Sequence, residues 1–251
     1  MTFDLGEFTV PNMLRCSREV RKVATHCGNM EEAASSIVKY FYDAFIDPTD
    51  GGRSCAMVRF YKTHAFGKLE PDLKLFARRQ LGDRPADDAM KCLTMLATIG
   101  DEPEWCDRRQ SRGHQAVPLV SEEVVEKAPM ISQLVKQMGL EIAEVVQPSE
   151  PIVSQRQEKR SYNVFHVEEA LGSPYIPAQD EFVKPYGIHS VVGFGGLLRT
   201  GDLFAVILFS RTPVSAESAE RFRNVALDVK YALFSFPEDR VFARQGAPTT
   251  A

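Results

Sequence analysis

Between Tyr186 and Ser235 the pattern of residues leaves the chain few ways to fold. Residues 188–198 (Ile-His-Ser-Val-Val-Gly-Phe-Gly-Gly-Leu-Leu) and 203–209 (Leu-Phe-Ala-Val-Ile-Leu-Phe) are apolar runs rich in β-branched and aromatic side chains. Only Arg199, Thr200, Gly201 and Asp202 lie between them. The runs therefore read as two antiparallel strands joined by a tight turn whose glycine takes positive φ. After Pro213, Ser215 is placed to cap a helix. Ala219, Phe222, Val225, Ala226, Val229, Leu233 and Phe236 follow at the spacing of one buried helical face. A hairpin followed by an amphipathic helix is a frame onto which a whole domain can fold.

Upstream, the chain alternates helix and strand. Asn29 is a helix cap with Glu31 and Glu32 in the first turn, and Ala34, Ile37, Val38, Phe41 and Phe45 form the buried stripe. Residues 55–61 read as a strand with Ala56, Val58 and Phe60 on one face and Met57, Arg59 and Tyr61 on the other. Pro71 opens a helix carrying Leu73, Phe76, Ala77 and Leu81. Residues 92–99 form a second strand, Val117 to Leu119 a short strand candidate, and 163–167 a third main strand. Ser121 caps a helical segment that Pro129 must kink or divide, with 142–146 read as extended and 147–160 as an exposed connector. Residues 179–186 make one or two helical turns.

This order resembles the GAF domain, a small-molecule sensing module related to PAS domains and common in bacterial signalling proteins. The resemblance rests on Tyr186-Gly187-Ile188, Ser190-Val191 and Gly193, the Gly-containing turn, the apolar strand and the Ser-capped helix. It implies an α+β fold with an antiparallel sheet of five to six strands and helices on one face. An enlarged helical insertion, 121–160, would fall between the second and third main strands. Residues 29–236 would form the domain, with 1–28 an N-terminal extension and 237–251 a flexible tail. The resemblance further implies a small-molecule ligand in a pocket on the other sheet face, a signal passed through the terminal helices, and a homodimer through those helices as an open question.

For that pocket the resemblance and the strand positions nominate His166, His189, Phe165, Tyr186, Phe194, Phe182 and Cys92. Haem is one candidate ligand, with His166 or His189 on its iron; a strand histidine with a satisfied hydrogen bond is the plainer reading. Two alternatives stay open beside a sensor without catalysis of its own. One is a thiol-dependent reductase using Cys92 and Cys106, and the other is a ligand-free interaction module. The cluster Arg108, Arg109, Arg112 and His114 beside Trp105 could grip a phosphate or carboxylate, or be a solvated loop. Asp101, Glu102 and Glu104 could hold a divalent cation. Gly193-Phe194-Gly195-Gly196 lies inside a strand pattern and signals close backbone approach or a bulge, not a phosphate loop.

Composition narrows the classes. A net charge of −4 gives no electrostatic footprint for nucleic acid or an anionic membrane. No apolar run reaches the roughly 18 residues of a membrane helix. Five cysteines without CxxC spacing fit a reducing cytoplasm and suggest neither a disulfide framework nor a structural zinc site.

Overall fold

The computed structural model describes residues 1–147 and 164–243. Six strands form one antiparallel sheet: β1 (Cys55–Ala65), β2 (Lys91–Gly100), β3 (Ala116–Pro118), β4 (Val164–Val167), β5 (Ser190–Leu197) and β6 (Leu203–Ser210). Their spatial order is β3-β2-β1-β6-β5-β4. The β5–β6 hairpin closes on the pair Leu197–Leu203, and Gly201 takes φ +80° in the turn as its position requires. β1, flanked by β2 and β6, is the centre of the sheet. The antiparallel α+β architecture expected from the sequence is present.

One face carries the long helices α1 (Val10–Val23), α2 (Met30–Ala44) and, near the C-terminus, α7 (Ala216–Glu220) with α8 (Phe222–Leu233). Caps set their starts. Thr9, Asn29 and Ser215 each accept a backbone N–H from the first turn of the helix that follows. The helix expected from Ser215 onward is divided in two at Arg221. Against these helices pack Val58 and Phe60 of β1, Leu96 and Ala97 of β2, Val206 and Leu208 of β6, and Val192 and Phe194 of β5. Phe3, Leu5 and Phe8, upstream of α1, and Val241, downstream of α8, are buried in this same core.

The opposite face is covered by the segment between β3 and β4. It folds as α4 (Glu122–Glu126), α5 (Pro129–Gln137) and α6 (Ile142–Val146), so Pro129 divides one apolar pattern into two helices. Residues 142–146 are helical, not extended. The Glu141 N–H donates to the Glu144 carboxylate at 3.3 Å, which satisfies an N-terminal donor and starts the turn. Because β3 pairs with β2, the insertion follows β3; most of the connector read at 147–160 and the chain end beyond 243 lie outside the described residues.

α5 rests directly on β5, and glycine makes this possible. A Cβ on Gly193 would stand 2.8 Å from Leu134 Cδ1, and one on Gly195 would stand 2.0 Å from the Phe204 carbonyl oxygen and 2.8 Å from Met138 Cε. The glycine run is a site of close approach, as its strand context implies. α3 (Pro71–Leu81) closes the β2–β3 edge over Cys92 and Ala116.

β1 continues four residues past Tyr61 because its polar end is buried. Lys62 ion-pairs with Asp202 at 2.7 Å beneath the β5–β6 turn, and Lys91 reaches the other carboxylate oxygen at 2.8 Å. No helix among the described residues is long and apolar enough to cross a membrane.

Candidate ligand cavity

From Met57 onward side chains alternate across β1, so Met57, Arg59 and Tyr61 stand on the face away from the long helices. A register shift at the start of the strand puts Ala56 on that face too, not with Val58 and Phe60. Leu93 of β2 and Ile207 and Phe209 of β6 share that face and complete a floor. The roof is the start of α5, with Pro129, Met130, Ile131 and Leu134, together with the segment Ile176–Ala178. Trp105 and His114, from the loop between β2 and β3, make one wall and Phe182 another. These residues enclose a cavity of about 370 Å³, within the size range of small-molecule sites.

Each wall has a local cause. Gly100 ends β2, and a Cβ there would lie 2.7 Å from the Trp105 indole and 2.8 Å from the Ala56 carbonyl oxygen, so only glycine lets Trp105 fold back over the sheet. Phe182 sits on a single π-helical turn, Gln179–Val183, anchored by Gln179 to the Ala170 and Ile176 carbonyl oxygens. Such wide turns occur often at functional sites. Phe182 packs edge-on against Phe209 at 5.0 Å and Trp105 at 5.6 Å, while Tyr186 lies 4.5 Å from Trp105 at the rim.

The polar atoms gather at one end. Arg59 reaches the Tyr61 hydroxyl and the Ser111 Oγ, each at 3.4 Å, and its Nε–H has no partner. His114 adopts φ +61°, a left-handed conformation uncommon outside glycine, and borders the cavity while exposed to solvent at its mouth. The packed surroundings desolvate the imidazole and the Arg59 charge adds to the effect, so His114 titrates below the ordinary histidine value.

The residues nominated from sequence scatter around this geometry. Phe182 lines the cavity and Tyr186 stands beside it. Phe165 is on the same sheet face but lies under α5, against Gly193. Phe194 points to the helix-bearing face, packed between Phe41 and Phe222. His166 shares that face, since it pairs with Val192, and its Nε2 lies 2.8 Å from the Val214 carbonyl oxygen. His189 precedes β5 and is exposed. Cys92 is buried under α3, where burial pushes its thiol up to about 12. Cys106 hydrogen-bonds the Gly100 carbonyl at the other end of β2, roughly 26 Å away at the rise of an extended strand. The structure therefore does not bring the two thiols together.

The arginine cluster has other work. Arg108 is buried against Glu31 at 2.7 Å and also bonds Glu70 and Asp72; Arg109 pairs with Glu31, and Arg112 with Glu104. Asp101 is engaged by Tyr42 and Arg211. Among the described residues no three His, Cys, Asp or Glu side chains are placed to hold a metal ion. Met57, Arg59, Ile131, Leu134 and Phe209 are among the lining residues that sequence reasoning passed over. Arg59 had a signal, as the one charged residue amid the apolar first half of β1.

No protein-family model matches the sequence, and no curated protein matches it. The fold is similar to that of the GAF domain from an Acinetobacter phosphoenolpyruvate-protein phosphotransferase, at 12% identity and a TM-score of 0.41, covering 88% of this chain and 92% of that one. It is similar as well to an N-acylhomoserine lactone-dependent LuxR-family transcription factor of Burkholderia cenocepacia, at 13% identity and a TM-score of 0.40, covering 92% and 98%. A third likeness is to the chromophore-binding domain of a bacteriophytochrome from R. palustris, at 13% identity and a TM-score of 0.37, covering 88% of this chain and 61% of that one.

Proposed function

We propose that the chain is a ligand-responsive regulatory domain that binds a small organic molecule in the cavity between the sheet and α5. The observation that carries this reading is the cavity itself: about 370 Å³, walled by Trp105, Phe182 and Phe209 and polar only at the Arg59 end. A well-packed interior fills such a volume with side chains, and leaving it open forgoes stability. The strands of the floor also offer a route outward. Met57, Ile207 and Phe209 face the cavity, and their neighbours Val58, Val206 and Leu208 face the terminal helices. A ligand that shifts β1 and β6 shifts α2, which rests on β1, and reaches α8 through β5, which pairs with β6. The exposed Leu14 and Tyr231 on the outer surfaces of α1 and α8 give that shift a place to be read by a second copy.

Native mass spectrometry and absorbance on freshly purified protein, followed by hydrogen exchange with and without any molecule found, test the reading. The expected result is a released small molecule whose return slows exchange in α5 and the π turn and alters it in α8. Exchange unchanged in both places would refute a sensing role, and light scattering that shows only monomer at high concentration would refute dimerisation.

A further inference from the structure

Among the described residues the two wholly buried cations, Lys62 and Arg108, are matched by protein carboxylates. The half-buried Lys74 is held by the Gly67 carbonyl oxygen at 2.7 Å, whereas Arg59 at the cavity has no such partner. Lys62 and Lys91 share Asp202, Arg108 has Glu31, Glu70 and Asp72, and the partly exposed Arg211 has Asp101. Among the described residues Arg59 has no carboxylate within ion-pair distance, and none of the side chains lining the cavity is acidic. Its two hydrogen bonds to hydroxyls are long, at 3.4 Å, and its buried Nε–H is unpaired. Directly across the ladder, on the same face, Thr98 is 5% exposed and its Oγ1 has no partner either. An uncompensated cation beside an apolar cavity is costly, and so is each unmade hydrogen bond.

We propose that the cavity takes an organic anion, an apolar body bearing a carboxylate, and that Arg59 receives the carboxylate. The planar guanidinium offers the fork that a carboxylate matches with two parallel hydrogen bonds. The apolar body lies against Trp105, Phe182 and Phe209. This inference rests on the reading of the cavity as a ligand site and adds the chemical class of the ligand.

The test uses two isosteric probes, 2-naphthoate and 2-naphthamide, which differ only in the charge of the head group. Trp105 is the only tryptophan in the chain, so quenching of its fluorescence reports occupancy, with calorimetry as the check. The wild-type protein should bind the naphthoate at least about ten-fold more tightly than the amide, the scale of one charge-assisted bidentate contact. Arg59→Met should abolish that preference by weakening naphthoate binding far more than amide binding, with circular dichroism and the melting temperature checking that the variant is folded. Arg59→Lys, which keeps the charge and loses the fork, should retain a smaller preference. Equal affinity of the wild type for both probes, or a preference that survives Arg59→Met, overturns the inference and leaves the cavity a ligand site. If neither probe quenches Trp105, the ligand-site reading fails and this inference fails with it.

Discussion

Lys62 Nζ lies 2.7 Å from Asp202 Oδ2, with both side chains almost wholly buried and 140 residues apart in sequence. This pair fastens the polar end of the central strand to the β5–β6 turn. Asp202→Asn removes the carboxylate that the buried Lys62 and Lys91 share, which should cost about 3–5 kcal/mol in urea unfolding. Lys62→Met should cost less, because Lys91 stays on Asp202 at 2.8 Å.

The same carboxylate gives the fold a pH signature. Burial alone would raise the Asp202 carboxyl, but the charge and hydrogen bond of Lys62, joined by those of Lys91, outweigh it and hold the group at about 2. A carboxyl with a folded pKa below its unfolded value of about 3.9 stabilises the fold above that pH, and the contribution is lost as pH falls toward the folded value. Wild-type stability should therefore decline between about pH 4 and pH 2, and Asp202→Asn should flatten the decline in that window. An identical slope in the two proteins would show that Asp202 is not held ionised by its lysines.

What could be read from the sequence, and what could not, divides along the same line as this pair. The β5–β6 hairpin and the caps at Asn29, Ser121 and Ser215 are local, set by residues a few positions apart, and they were legible. The end of β1 was not, because Lys62 and His64 look like solvent-exposed residues until Asp202 is folded over them. The cavity was half legible. Alternation on β1 separates Arg59 from Val58 and Phe60, and Phe182 was nominated among the pocket residues. Which face of the sheet receives the long helices is a property of topology, carried by no single strand. Phe194 and His166 were nominated from strand membership, whereas their register partners Val206 and Val192 place them on the helix-bearing face.

Glycine spacing supplies a test of packing with its own control. Gly195→Ala would put a Cβ 2.0 Å from the Phe204 carbonyl oxygen, a backbone atom that cannot turn away. It should destabilise the fold by about 3 kcal/mol or more. Gly113→Ala, with nothing within 4 Å of its Cβ and no positive φ, should change stability by no more than about 0.5 kcal/mol. Similar midpoints for the two variants in urea would contradict the close approach of β5 and β6 at Gly195.

Thiol accessibility separates a sensor from a thiol reductase. Cys16, Cys55 and Cys92 are buried and burial pushes each thiol up to about 12, whereas Cys106 is exposed. A thiol-reactive dye should label Cys106 first and Cys27 more slowly, with the other three reacting only as the protein unfolds. Rapid labelling of Cys92 in the native state, or a thiol-dependent turnover lost in both Cys92→Ser and Cys106→Ser, would restore the reductase reading.

Filling the cavity opposes its function to its stability. Ala178 lines the roof at the start of the π turn, and its carbonyl oxygen accepts the N–H groups of Phe182 and Val183, so the residue is held in place by its backbone. Ala178→Phe would introduce an apolar ring beside Trp105 and Phe182 without removing a hydrogen bond. A ring that occupies otherwise open volume adds dispersion contacts and buries apolar area, and cavity-filling changes of this kind commonly stabilise by about 0.5–2 kcal/mol. The variant should therefore melt higher than the wild type and lose the quenching of Trp105 by 2-naphthamide. A variant that melts higher yet still binds the probe would place the ligand elsewhere. One that melts lower would mean the cavity is narrower at the roof than its volume indicates, with the ring forced against α5.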